Sequence, residues 1–307
     1  MTIAVLFPGQ GSQYPGMADP WSDHPAGKES LAEASDLLGY DVAQVAGDAE
    51  RLALTDVVQP LMFACDLAAL RVLEAEGATF SMTAGHSLGE FVSLVAAGAV
   101  PVEQALMAVV ERGRAMQEAA DASPGGMTAL VGVSPQEAAE IVTTAGRGDV
   151  LTVANENSPK QTVLSGSIPA IERAEELARS RKVRAVRLKV AGAFHSKLME
   201  PALPRVRGAI AKLDFSAPRY PVVPNASGRP TSQPSALRDL LSRHLVSPVR
   251  WERSIRAMAE AGIDVFVEAG PGDVLSKLVK RCVPGSRAVP VGSPSEARAF
   301  LDDEGVR

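Results

Sequence analysis

Apolar positions along this chain alternate between short β-branched runs and longer stretches with a helical repeat. Residues 2–7, closed by Pro8-Gly9, read as a strand buried on both faces, as in a parallel sheet under helices. Residues 57–76 place Leu61, Cys65, Ala68 and Val72 on one helical face. A short strand at 80–84 runs into Gly85 and a helix over 88–99, followed by a helix over 102–120 with Val102, Leu106, Val109, Gly113 and Met116 on one side. This alternation predicts an α/β fold. After the break Ser123-Pro124-Gly125-Gly126, the spacing predicts strand 127–133, helix 134–145, strands 151–155 and 161–165, helix 168–181 and strand 183–191. That β-α-β-β-α-β order is a ferredoxin-like unit. Beyond it come helix 196–212, strand 220–224, helices 233–245 and 251–262, strand 264–268 and helix 272–281. Residues 281–307 read as an irregular tail with one strand, 287–291. The expected organisation is a catalytic α/β domain, 1–124 and 193–307, interrupted by a small domain, 125–192.

Composition narrows the partners. With 307 residues, 46% hydrophobic and 22% charged, the chain is globular, and a net charge of −5 argues against a nucleic-acid binder. Residues 127–191 contain no Phe, Tyr or Trp, so the ferredoxin-like unit lacks the stacking platform that RNA recognition needs. No apolar stretch approaches a membrane span, and no charged-then-apolar leader precedes the first strand. Two cysteines, Cys65 and Cys282, fit a reducing compartment, and the expectation is a cytoplasmic protein. Cys65 lies on an apolar helical face and reads as a buried thiol. Cys/His spacing for zinc is lacking, and the acidic pair Asp302-Asp303 falls in the tail, so no metal is expected.

The sharpest chemical signal is Gly85-His86-Ser87-Leu88-Gly89, a G-x-S-x-G set between a strand and a helix. There the serine occupies a tight turn that the glycines permit, and the N–H of Leu88 opens the helix as an oxyanion donor. A serine needs a base. Of the four histidines, His86 adjoins the nucleophile, while His24 and His244 read as surface residues. His195, in Ala191-Gly192-Ala193-Phe194-His195-Ser196 at the return from the insert, is the base by elimination. No acid stands out as a third member, so a Ser–His dyad with a carbonyl-oriented imidazole is favoured. The turn Pro8-Gly9-Gln10-Gly11-Ser12-Gln13 fails the dinucleotide fingerprint, because Tyr14 and Pro15 follow, and fits the second half of an oxyanion hole with Gln10 as donor. Helical geometry puts Arg112 and Arg114 at opposite edges of an apolar face and does not choose between them.

Six blocks in order carry a family resemblance: Pro8-Gly9-Gln10-Gly11-Ser12-Gln13, Val58-Gln59-Pro60, Gly85-His86-Ser87-Leu88-Gly89-Glu90, Glu111-Arg112-Gly113-Arg114-Ala115-Met116-Gln117, Gly192-Ala193-Phe194-His195-Ser196 and Glu268-Ala269-Gly270-Pro271-Gly272. Over residues 3 to about 282 the chain resembles the malonyl-CoA:acyl carrier protein transacylases of fatty acid and polyketide synthesis. The resemblance implies an α/β-hydrolase-like large domain with a parallel sheet, an inserted ferredoxin-like small domain, and a site in the cleft between them. It implies that Ser87 is acylated, that His195 is base then acid, and that the Gln10 and Leu88 N–H groups hold the oxyanion. It selects Arg112 for the malonyl carboxylate, with Phe194, His86 and Gln59 also at the substrate. Asn157 aligns with a family asparagine near the site, or is a turn residue. The carbonyl that orients the histidine falls at Arg250 in Ser247-Pro248-Val249-Arg250-Trp251, a departure from the commoner Gln or Asn. Ala193-Phe194-His195 is similar to the malonyl-selective set.

The implied reaction moves malonyl from malonyl-CoA to the phosphopantetheine thiol of an acyl carrier protein by ping-pong exchange, without a cofactor and in a monomer. Within 179–189, Arg179, Arg181, Lys182, Arg184, Arg187 and Lys189 form a basic run, read either as a solvated face or, through Arg181, Arg184, Arg187 and Lys189, as a surface for the carrier or for CoA phosphates. A carrier-thioester hydrolase on the same fold and a non-catalytic docking module are the competing readings.

Overall fold

Parallel pairing builds the first sheet. In the computed structural model, which describes residues 2–303, β1 (Ile3–Phe7) lies between β2 (Met82–Gly85) and β7 (Val265–Ala269), and β8 (Arg287–Val291) closes the far edge. Ala4 aligns with Met82 on one side and Phe266 on the other. Every residue of β1, β2 and β7 is buried, which explains their almost unbroken apolar lettering. Ile3, Val5 and Phe7 enter a large core with α1 (Pro25–Leu38), the short α2 (Val42–Ala46), α3 (Thr55–Ala75), α4 (Gly89–Ala96) and α5 (Val102–Ala122). Ala4 and Leu6 face a second core, beneath α10 (Trp251–Glu260) and α11 (Val274–Cys282). Helices on both faces of a parallel sheet are the layered arrangement the alternating pattern predicted.

The second sheet is antiparallel. It runs β4 (Leu151–Ser158), β5 (Gln161–Ser167), β3 (Gly125–Val131), β6 (Arg184–Arg187), with α6 (Pro135–Gly146) and α7 (Ile168–Ser180) on one face. Leu130, Leu164, Ile141, Ile171 and Ala174 close a separate small core there. This is the ferredoxin-like unit, joined to an α/β-hydrolase-like large domain. Two backbone hydrogen bonds tie its outer strand to the large domain, Val249 N to Ala154 O and Glu156 N to Val249 O, both 2.8 Å.

Several expectations change. The 220–224 strand forms one parallel bridge, Val222 to Thr83, because Pro221 and Pro224 have no N–H to donate. The 196–212 helix divides into a 3-10 turn over 197–202 and α8 (Leu203–Ala211), with Pro201 and Pro204 at the junction. The 233–245 helix ends at Arg243 as α9 (Pro234–Arg243). The tail is not irregular: α12 (Pro294–Asp303) buries Ala297, Phe300 and Leu301 against the large core. Of the expected catalytic domain, residues 1 and 304–307 lie outside the described residues.

The tightest backbone packing lies where β1 and β2 end. A Cβ on Gly89 would stand 2.2 Å from the Phe7 carbonyl oxygen, and one on Gly85 1.9 Å from Gly89. Gly89→Ala is therefore expected to cost about 3 kcal/mol through forced backbone displacement. Gly208→Ala, with open space around its Cβ on an exposed helical turn, is expected to stabilise by about 1 kcal/mol. Urea unfolding of the two variants checks both signs.

Candidate active site

The turn from β2 into α4 puts Ser87 at φ +51°, a left-handed conformation that costs a non-glycine residue about 1–2 kcal/mol. Such a cost persists only where neighbours over-determine the geometry. Here the Ser87 N–H donates to Asn225 Oδ1 at 2.7 Å, and Asn225 Nδ2 donates to the Gly85 carbonyl at 2.6 Å. Gly9 packs against the same turn, its virtual Cβ 2.3 Å from the His86 oxygen and 3.7 Å from Leu88 N. The Gln10 loop and the start of α4 thus converge beside the serine. Neither the Gln10 nor the Leu88 N–H has a partner among the described residues.

Ser87 Oγ lies 2.8 Å from His195 Nε2. His195 Nδ1 faces two carbonyls, Ser247 at 3.1 Å and His244 at 3.2 Å. Carbonyls only accept, so the ring carries its proton on Nδ1 and presents the Nε2 lone pair to the serine. Burial, then the positive Arg112, pushes the His195 pKa down to about 3, so the imidazole is neutral at ordinary pH. These contacts correct the expectation for Arg250. Its carbonyl accepts from Ser254 N at 3.0 Å, because Arg250 opens α10 and the helix uses that oxygen; its guanidinium lies 3.8 Å from Glu156. His244 is also corrected. It is 1% exposed rather than a surface residue; its carbonyl faces His195 Nδ1 and its ring packs against the His195 ring, centroids 5.2 Å apart. His24 is largely buried too, where Nδ1 caps α1 by accepting from Ala26 N.

Geometry chooses between the two arginines. Arg114 is exposed and pairs with Glu111 at 3.4 Å. Arg112 is 2% exposed, donating from Nη1 to Gln59 Oε1 at 2.6 Å and from Nη2 to Ser87 Oγ at 3.0 Å. Burial lowers its pKa to about 10, which leaves it cationic at neutral pH. No carboxylate forms an ion pair with it among the described residues. Glu90 is close enough to interact electrostatically, but burial raises its own pKa to about 7. The site therefore holds a desolvated positive charge whose hydrogen bonds go to neutral groups.

These side chains line one cavity of about 200 Å³ between the two sheets. Gln10, Gln59, Leu88, Met116 and Phe194 line it from the large domain, with His86 alongside. The small domain adds Met127, Ala129, Asn157 and Val163. His86 Nε2 lies 3.0 Å from Asn157 Oδ1, a bond across the cleft, so Asn157 is not merely a turn residue. None of the basic side chains of the 179–189 run lines this cavity, although Leu188 and Val190 on either side of Lys189 do; all are exposed, Arg187 paired with Glu175 and Arg181 with Glu140. Sequence reading missed Asn225, which follows the run Pro221-Val222-Val223-Pro224 with no motif to mark it, and gave Glu90 no role. Cys65 is buried with its pKa pushed up, and no cluster suited to a metal occurs among the described residues. No described helix is long and apolar enough to cross a membrane.

The acyl transferase domain family matches residues 5–296. The malonyl CoA-acyl carrier protein transacylase of Escherichia coli (strain K12) is 39% identical over 305 residues, covering 98% of this chain and 99% of that protein. The structure of the malonyl CoA-acyl carrier protein transacylase from Coxiella burnetii superposes with a TM-score of 0.94 at 36% identity, covering 98% of this chain and 97% of the other. A malonyl-transacylase solved in complex with its type II polyketide synthase acyl-carrier protein gives a TM-score of 0.94 at 34% identity, covering 99% and 100%. With matches of this strength over nearly its whole length, the chain belongs to the malonyl-CoA:acyl carrier protein transacylase family of acyl transferases.

Proposed function

We propose that this protein transfers malonyl from malonyl-CoA to the phosphopantetheine thiol of an acyl carrier protein, through a malonyl ester on Ser87. The observation that carries the reading is the 3.0 Å separation of Arg112 Nη2 and Ser87 Oγ. In malonyl-CoA the carboxylate carbon and the thioester carbon flank one methylene and so lie about 2.5 Å apart. A carboxylate received by Arg112 thus brings the thioester carbon to the serine, whereas a longer dicarboxylic chain carries it past. A guanidinium suits this carboxylate bidentately, and a neutral acyl group leaves the buried charge without a partner. A hydrolase of neutral acyl chains has no use for that cation.

In the first half-reaction Ser87 Oγ passes its proton to His195 Nε2 and attacks the thioester carbon. The oxyanion is held by the N–H groups of Gln10 and Leu88. As the carbonyl re-forms, the C–S bond breaks and His195 returns the proton to the CoA sulfur. The second half-reaction reverses these roles. The carrier thiol gives its proton to His195, its sulfur attacks the ester, and Ser87 Oγ leaves and takes the proton back. Thioester is exchanged for thioester, so atoms and electrons balance without a cofactor. Carboxylate binding also neutralises Arg112, which depresses His195 basicity, so substrate strengthens the base. Gln59 orients the guanidinium, His86 and Asn157 wall the cleft, and Phe194 leaves little room for an α-branch. All these groups belong to one chain, which supports a monomer; the carrier and malonyl-CoA are its partners, with no role for nucleic acid. Two free, buried cysteines fit the cytoplasm. Arg184 and Lys189 are exposed cations of the basic run that fit an acidic carrier.

Intact-mass analysis after mixing with malonyl-CoA should give one malonyl adduct on the wild type and none on Ser87→Ala; an unchanged wild-type mass overturns the reading. Arg112→Ala should lower kcat/KM for malonyl-CoA by about 10- to 100-fold, the worth of a lost charge-assisted hydrogen bond, while acetyl-CoA turnover is kept or raised. An equal fall for both substrates would remove Arg112 from carboxylate recognition. The imidazole resonances of His195 should remain those of the neutral Nδ1–H form from pH 8 to pH 5, since protonation begins only as pH falls toward about 3. A titration centred near pH 6.5 would refute that electrostatic account.

A further inference from the structure

Asn225 is wholly buried and uses all four of its polar groups. Its side-chain oxygen accepts from Ser87 N at 2.7 Å, and its side-chain nitrogen donates to Gly85 O at 2.6 Å. Its backbone N–H donates to Glu90 Oε2 at 2.9 Å, and its backbone carbonyl accepts from Arg250 N at 3.0 Å. The amide orientation is fixed by chemistry, since Ser87 N–H can only donate and Gly85 C=O can only accept. The first two contacts grip the two peptide groups that flank His86 and lead into the strained serine. The Arg250 contact fastens the 244–250 segment, whose His244 and Ser247 carbonyls face His195 Nδ1. One residue therefore joins the support of the nucleophile to the support of its base.

We propose that Asn225 is a positioning residue for acyl transfer, clamping the serine turn and the histidine-supporting segment to a common point and so holding Ser87 Oγ at hydrogen-bond distance from His195 Nε2. Asn225 touches neither reacting atom, and the inference rests on the reading that Ser87 is acylated. Removing the side chain frees the Ser87 peptide to leave φ +51°, and a displacement of about 1 Å at a reacting atom costs about 100-fold in rate. An aspartate makes a sharper probe. Protonated, it reproduces the amide, accepting from Ser87 N and donating to Gly85 O; ionised, it turns an anionic oxygen toward that carbonyl. Burial beside Glu90 favours the protonated form to a higher pH than for an ordinary aspartate.

The test is single-turnover malonylation of wild type, Asn225→Ala and Asn225→Asp between pH 5 and pH 8, followed by intact mass and normalised to the folded fraction from circular dichroism. Labelling of Ser87 by a fluorophosphonate runs in parallel. Asn225→Ala should acylate about 100-fold more slowly at every pH with little change in KM. Asn225→Asp should approach the wild-type rate at the acid end and lose it as pH rises. Acylation of Asn225→Ala within about twofold of wild type per folded molecule overturns the proposal, as does an Asp variant whose rate relative to wild type ignores pH. Should the alanine variant not fold, the pH course of the aspartate variant decides. If the wild type takes up no malonyl, the functional reading fails instead, and the fluorophosphonate rates still decide whether Asn225 positions the serine.

Discussion

A buried positive charge with no ion-paired carboxylate among the described residues governs this site. Arg112 is buried, cationic at neutral pH, and hydrogen-bonded only to the neutral Gln59 and Ser87. Desolvating an ion costs several kcal/mol unless a counter-charge compensates, so such a residue is expensive in the empty protein. Much of the surrounding chemistry follows from tolerating it. Glu90 feels it electrostatically yet is kept partly protonated by its own burial, and His195 is held neutral by burial and then by this charge. A resident carboxylate would relieve the cost but would occupy the place of the ligand. Selectivity and instability are therefore the same feature seen with and without an anion.

The Ser87–His195 pair has no acidic partner at Nδ1 among the described residues, for a related reason. The Nδ1–H of His195 lies between two main-chain oxygens. Carbonyls fix the tautomer and ring plane but carry no net charge, so they raise basicity less than a carboxylate does. Near Arg112 that choice is coherent, since a third ionised carboxylate would compete with substrate for the guanidinium.

Much of this was legible in the sequence because it is written in local rules. G-x-S-x-G between a strand and a helix marks a turn that only small neighbours permit, and the β-α-β-β-α-β order gave the second sheet strand by strand. His195 emerged by elimination among four histidines. What escaped was held by contacts between distant segments. Asn225 lies 138 residues from Ser87, at the end of a run that local pattern describes only as a strand. His244 looked like a surface residue because it sits in Arg-rich helical sequence, yet its ring is enclosed by other segments. Arg250 was chosen by alignment with relatives, but the first turn of α10 consumes its carbonyl, and the acceptors come from residues earlier in the segment. The helix at 294–303 was lost because Ala297, Phe300 and Leu301 acquire meaning only against the large core.

The two peptide hydrogen bonds between Val249 and the outer strand of the small sheet have a mechanical consequence. Val249 follows Ser247 by two residues, so the strand edge that borders the entrance is stitched to the loop that aims the imidazole. A hinge motion that widened the gap for a bulky thiol-bearing arm would have to snap those stitches or drag the loop along. Any shift of that strand edge is thus transmitted through Val249 to the backbone whose carbonyls orient the His195 ring.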